Sequence, residues 1–600
     1  MKRKREAKFA GAADPDMPAA TRPKTKAPAS KPESIRKKPV ARTSSIDVVA
    51  ESERKEKTPK NSKATAVEAR DTKLVQTASK PNVAAGPVIV LADAPASLQI
   101  VAGSYDRTLH GVVATLGQAS AKFTDTFLFT AHSSAIRCLA LSPPSVPVPG
   151  QGQKIMLATG STDERVNVYN LSAHPPAKLA SDASDLEQAI IASVTSRPVM
   201  PIAENAKNRE LGTLLNHSST ITKLSFPTRS KLLSASEDST IAVTRTRDWS
   251  LLSTIKAPIP KEGMGGGLRR PSGDTAPPGG APSGVNDFAV HPSMKVMISV
   301  SRGERSMRLW NLVTGKKAGV LNFGKDLLRD IGEGRFATGE GRQVVWGRTF
   351  KKGGSGGIDD ATDEYAIGFD RNVVVFGMDS LPRCKVISDA RTKTHDFCYL
   401  EIDDDPETAD KDKTGLFSLL AVATEDGRIL LCSTRPEDLV LAALPANGAV
   451  AGDQKPSTAP LPSARLVGQL GGGANGGAAG ATGRVKAFKI LPVLEPVSGE
   501  ANSLRRAWYV VAASSTGALC VWKVTGKELR DAWKGSIAVS ASGSAKTAVA
   551  PTLLGTLLGT YQTRDRITCV EAFVMIPRPE GLEDSDFEEG EDDSESEDDA

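Results

Sequence analysis

Aromatic residues make up only 5% of this 600-residue chain, although its length allows several domains and a core of Val, Ile, Leu and Ala. Cysteine is rarer still. Cys138, Cys384, Cys398, Cys432, Cys520 and Cys569 stand apart, with no CxxC pair and no histidine at zinc spacing, which argues against a disulfide or metal framework. The stretches DFCYL, LLCST and LCVW put several of them inside apolar strands, as reduced, buried thiols of an intracellular protein. No apolar run reaches the roughly 18 residues that a membrane helix needs. The opening MKRKREAKFAGAADPD has the charged start of a signal peptide with no hydrophobic region behind it, so secretion is not expected.

Turn formers and charge are plentiful by contrast. Glycine (53) and proline (38) together are about 15% of the chain, above the usual roughly 12%, which indicates many turns or loose segments. The formal charge of +6 hides a polarity: residues 1–80 hold 21 Lys/Arg against 10 Asp/Glu, while 580–600 hold 13 acids and no base. Such asymmetry suits a nucleic-acid-rich setting and interaction tails at both ends.

One tile recurs between the tails. ISVSRGERSMRLWNLVTGKKAG (298–319) joins a small apolar strand to a polar turn and then an alternating strand. MLATGSTDERVNVYNLS (156–172), KLLSASEDSTIAVTRTRDW (231–249), LLAVATEDGRILLCST (419–434), YVVAASSTGALCVWKV (509–524) and LQIVAGSYDRTLHGVVA (98–114) repeat it. Asp, Ser and Gly tolerate turn geometry, and alternation suits a half-buried strand, so each tile is a hairpin. A further short strand precedes most tiles, as in SAIRCLAL, STITKLSF and GVNDFAVHP. Two short hairpins per unit with little helical pattern between them predict four-stranded propeller blades.

Seven strand heads predict seven blades, the fourth and fifth degenerate. DRITCVEAFV near the end lacks a downstream partner and the tile at 98–114 lacks an upstream one, so the two ends are expected to share a blade and close the ring. Seven blades of about 42 residues need roughly 295, whereas 97–577 spans 481 residues. Gly/Pro/Ser-rich and charged inserts near 172–210, 258–284, 350–362, 401–414, 436–482, 492–505 and 536–550 account for the excess. The expected organisation is all-β: a disordered basic tail (1–96), a seven-bladed WD-repeat β-propeller (97–577) with long low-complexity loop inserts, and a disordered acidic tail (578–600).

The run GTLLNHSSTITKLSF…KLLSASEDSTIAV, then HPSMKVMISVSRGERSMRLWNLVTGKKA, RNVVVFGMD, LLAVATEDGRILL and RVKAFKIL…VVAASSTGALCVWKV resembles the nuclear WD-repeat family of p21-activated-kinase-interacting protein 1 and the yeast maintenance-of-killer homologue. The resemblance covers about 98–575 and neither tail. It implies a non-catalytic nuclear and nucleolar scaffold in assembly of the large (60S) ribosomal subunit and pre-rRNA processing, with assembly factors and ribosomal proteins as partners. The alternative it leaves open is a signalling adaptor that binds the regulatory region of a p21-activated-type kinase. The chain departs from the family in its long inserts and in its tails, since the members end in a basic tail whereas here the basic tail leads.

The resemblance also implies a structural network in which a blade's histidine bonds a turn aspartate. His132 with Asp163, and His217 with Asp238, match those places, Asp426 matches the turn position, and Trp310 and Trp522 match the signature tryptophan. No strained serine elbow or oxyanion motif accompanies these histidines, so no catalytic residue, cofactor or metal site is expected. GEGRFATGEGR (332–342) and GGGANGGAAGATGRVK lack the helix and the GK[ST] that nucleotide loops require. Lys2, Arg3, Lys4 and Arg5, with Arg36, Lys37 and Lys38, read as a nuclear import signal and an RNA-attracting arm; with Phe9 the sole aromatic of that arm, base stacking contributes little. Ser585, Ser594 and Ser596 each have an acid three residues on, the pattern of acidophilic kinase sites. The expected state is a monomer within a larger complex, away from membranes.

Overall fold

Each recurring tile folds as an antiparallel hairpin. Val296–Ser301 pairs with Ser306–Asn311, Met297 opposite Trp310, around a turn where Gly303 takes a φ of +89° that a side chain would resist. The pattern of burial follows strand position. Second strands such as KIMLATGS and FSLLAVAT are buried along nearly their whole length because both faces meet neighbouring blades. Outermost strands such as RELGTL and LLSTIK are mostly exposed.

Seven sheets result, each of four antiparallel strands except one that gains a fifth. Their inner strands, numbered here as blades one to seven, are Ile136–Leu141, Ile221–Thr228, Val285–Val290, Gln343–Lys351, Thr394–Ile402, Val485–Pro496 and Ile567–Val574. The computed structural model describes residues 89–90, 96–149, 151–176, 208–258, 284–333, 337–351, 360–387, 392–402, 417–441, 460–472, 483–496, 504–541 and 552–578, all within one unit, Ser79–Ala600. The expected import residues (Lys2–Arg5, Arg36–Lys38) and the serines 585, 594 and 596 lie outside them.

The ring closes by pairing its two ends. Blade seven takes its inner strand from Ile567–Val574 and its outer three from Ser97–Ser104, Thr108–Leu116 and Ala121–Thr130. Leu98 pairs Val574, Ala102 pairs Val570 and Gly103 pairs Cys569. Side chains lash the joint: Thr108 Oγ1 donates to Asp565 (2.6 Å), and Arg566 lies over the Tyr105 ring. A second lash reaches blade one. His174 Nε2 accepts the Gln153 N–H (2.9 Å), so Nδ1 carries the proton and donates to the Ile576 carbonyl (3.0 Å), while Ile576 N–H bonds the Ala173 carbonyl (2.8 Å).

Blades press closely where glycine replaces a side chain. A Cβ on Gly160 would meet Ile221 at 2.7 Å and Cys138 at 2.8 Å, and one on Gly103 would meet Ile136 and Cys569, both at 2.8 Å. All six cysteines are free, and burial raises the thiol pKa of each.

Several boundaries differ from those expected. Arg465–Leu470, inside the stretch read as the 436–482 insert, is the outer strand of blade five, paired with Ile429–Ser433. Strands also run into the stretches assigned to inserts at 350–362 and 492–505, reaching Lys351 and Pro496 and resuming at Asp360 and Leu504. Ile89–Val90, in the stretch assigned to the basic tail, pairs in parallel with Val493 and Leu494. The helix Gly526–Ala541 occupies part of the proposed 536–550 insert, and a shorter one spans Lys325–Asp330. The longer helix is held by tertiary contacts that its sequence does not advertise: Trp533 stacks on Phe417 and donates to Asp438 (2.8 Å), and Arg465 Nη1 donates to the Ser536 carbonyl (3.0 Å).

Candidate functional site: the blade network and the channel rim

In blade one, His132 Nδ1 donates to Asp163 (3.1 Å to Oδ2), and Nε2 lies 2.8 Å from Thr159 Oγ1, which can donate to it. Blade two repeats this with His217, Asp238 (3.1 Å) and Ser234 (2.8 Å). Each aspartate also accepts backbone N–H groups across its turn, Asp163 from Ser133 and Arg165, Asp238 from Ser218 and Thr240. Burial lowers the His132 pKa, outweighing the pull of Asp163. Burial disfavours the charge on Asp238, yet the bonds from His217, Thr240 and Ser218 outweigh it and hold its pKa down at about 2. Both imidazoles are buried and spend both nitrogens inside their own blades. These groups hold their turns in place.

The remaining residues expected in that network lie in other blades. Trp310 in blade three is buried and donates to Ser299 Oγ (2.8 Å). Trp522 packs in the core between blades five and six. Asp426 in blade five is bonded by Thr424 and by Arg428. No blade therefore brings histidine, aspartate and tryptophan together among the described residues. Tyr169 and Thr244 fill the tryptophan place in the two histidine blades, at the register position where Trp310 pairs in blade three.

The seven inner strands surround a central well of about 660 Å³. Lys223 pairs with Asp287 (3.4 Å) and Lys489 with Glu571 (2.8 Å). Asp396 accepts from Gln343 Nε2 (2.6 Å) and Phe488 N–H (3.0 Å), and Asp287 from Val344 N–H (3.0 Å), so carboxylates stitch one blade to the next. These inward aspartates follow bulges at Val285/Asp287 and Thr394/Asp396, which re-aim the side chains. Nothing in the hairpin pattern marked them, although an acid in an apolar inner strand (VNDFAV, THDFCYLEI) is the signal that could have.

Comparison with known proteins agrees with this geometry. Residues 208–243 match the family model described as "WD domain, G-beta repeat". That stretch runs from the outer strand of blade one through three strands of blade two, so the sequence repeat straddles two blades and links them. The chain is a seven-bladed β-propeller that carries a WD repeat. It is similar to "p21-activated protein kinase-interacting protein 1-like" of Gallus gallus, 26% identical over 226 residues, which is 38% of this chain and 42% of the relative. The protein of the same name from Danio rerio is 25% identical over 226 residues, 38% and 43% of the two chains. "Protein MAK11" of Saccharomyces cerevisiae is 29% identical over 219 residues, 34% and 36% of the two chains. The matched region thus spans less than half the length of these relatives. Among the described residues of the propeller, no helix is long and apolar enough to cross a membrane, and no cluster of metal-ligating side chains is present.

Proposed function

We propose that this propeller is a non-catalytic nuclear and nucleolar scaffold in assembly of the large (60S) ribosomal subunit and processing of its rRNA. The observation that carries the reading is the use of His132 and His217 as turn braces in a closed ring, which leaves faces and rim for docking. The likeness to Protein MAK11 and the family resemblance of the blades support the ribosomal assignment. The basic residues Lys2–Arg5 and Arg36–Lys38 would supply nuclear import and nonspecific attraction to rRNA. Phosphorylation of Ser585, Ser594 and Ser596 would deepen the acidic tail's charge, letting it compete with RNA for basic partners. Assembly factors and ribosomal proteins would be the direct partners, with the chain a monomer in the particle.

Purification of the tagged chain from cells, with sedimentation and sequencing of its RNA, tests this. Precursors of the large subunit are the expected cargo; a pull-down without rRNA or assembly factors would overturn it. A second reading, docking of a protein kinase regulatory region, rests on relatives named for kinase interaction. Cytoplasmic residence without ribosomal co-sedimentation would favour it.

A further inference from the structure

The second residue of most inner strands faces the rim of the well, and these residues divide into two groups. Thr222, Asn286 and Thr568 are spent on the fold: each donates to a carbonyl of the next blade, Val285 (2.7 Å), Gly341 (2.8 Å) and Ile136 (2.6 Å). Arg137, His395 and Lys486, at the same place in blades one, five and six, make no such bond among the described residues. His395 Nε2 is buried without a hydrogen-bond partner. Arg566 and Arg484, each one residue before its strand, and Arg342, before blade four's, add positive charge at the same rim. The crowding is electrostatic as well as spatial. Burial, then Arg484, Arg566 and Arg137, lower the Lys486 pKa, and burial followed by Lys486 brings that of His395 down to about 4.

We infer that this rim is an anion-binding site that docks an acidic peptide segment of a partner protein, a proposal that rests on the scaffold reading and names the chemistry of one partner. Carboxylate side chains suit the rim better than a phosphodiester backbone. Two rim arginines are already tethered, Arg484 to Glu425 (2.9 Å) and Arg342 to Asp370 (2.7 Å), so positive and negative groups alternate around it. A nucleic-acid backbone needs a continuous cationic track, and Glu425 and Asp370 interrupt one. Further in, Lys223 and Lys489 offset Asp287 and Glu571, which leaves Asp396 to repel a deep polyanion, while a single carboxylate can stop at Arg137 and Lys486. An extended acidic peptide can present such carboxylates one at a time.

The test uses the full chain, a fluorescein-labelled peptide of alternating Glu and Gly, and a labelled single-stranded RNA of equal charge. Fluorescence anisotropy should show saturable peptide binding, weakened about tenfold or more by Arg137→Glu with Lys486→Glu and changed less than about twofold by Lys317→Glu on an outer strand. Arg137→Ala alone, at an exposed position, should weaken the peptide several-fold, which covers the case in which the double variant fails to fold. Absent peptide binding, equal or tighter binding of the RNA, or indifference to both rim variants would overturn the proposal. If that failure came with precursor particles still co-purifying, the scaffold reading would stand; if neither peptide nor particles bound, both would fall.

Discussion

Replacing Glu364 with glutamine should stabilise the protein near pH 8 and leave it almost unchanged near pH 5. Glu364 lies on the second strand of blade four, Asp360–Gly368, with no exposed surface. Its Oε1 accepts from the hydroxyls of Tyr399 and Thr434, both at 3.0 Å, and Oε2 lies 3.4 Å from Arg383 Nη1. Burial outweighs these three donors and pushes its pKa from 4.5 up to about 7. Between those values the folded chain keeps a proton that the unfolded chain has released, so stability falls as pH rises through the window and levels off above it. At about 1.4 kcal/mol per pH unit the loss is about 3 kcal/mol. Glutamine keeps an acceptor for Tyr399 and Thr434, carries no charge to bury, and turns an amide towards Arg383, which is partly exposed and can swing to water. A net gain of about 2 kcal/mol near pH 8 is therefore expected, after the lost arginine contact. Urea unfolding followed by tryptophan fluorescence, run on both proteins from about pH 5 to 8, measures it. A difference that does not change with pH, or one that turns against the variant as pH rises, refutes the reasoning.

Asp238→Ala should destabilise the chain by about 1–2 kcal/mol near pH 7, and because its folded pKa is held at about 2, the deficit should shrink as pH falls from about 4 to 2; acid titration of the unfolding midpoint checks both. Gly160→Val puts methyl groups against Ile221 and Cys138 and should cost about 1–3 kcal/mol, read as a lower urea midpoint. His174→Ala removes the bonds to Gln153 and Ile576, so hydrogen exchange at residues 574–576 should quicken more than in blades two to five, with about 1–2 kcal/mol lost overall.

The ring was legible because each hairpin carries its own instructions. Alternation in SMRLWNL and a turn glycine at 303 fix a hairpin without reference to the rest of the chain, and the missing partners of 98–114 and 567–574 implied closure. The helix Gly526–Ala541 was not legible, because the stacking and hydrogen-bond partners of its Trp533 are blade five residues Phe417 and Asp438, far away in sequence. Arg465–Leu470 was hidden for a related reason: an outer strand is half exposed at its start and follows a long Gly/Pro-rich stretch, so local pattern alone did not separate it from loop. For the candidate site, motif likeness singled out His132, His217 and Asp426 but did not give the partner of Asp426, an arginine two residues on. The rim escaped notice because Arg137, His395 and Lys486 lie far apart in sequence and come to one rim only once the ring is closed.

Closure itself can be measured by a covalent bond. Ala102 and Val570 are buried and directly paired across the joint, at a spacing a disulfide spans. In Ala102→Cys with Val570→Cys, oxidation and non-reducing peptide mapping should recover a peptide pair joining the two positions, with raised thermal stability. Efficient cross-linking of each cysteine to other sites, or two thiols that stay reduced in the folded protein, would contradict a closed seven-bladed ring.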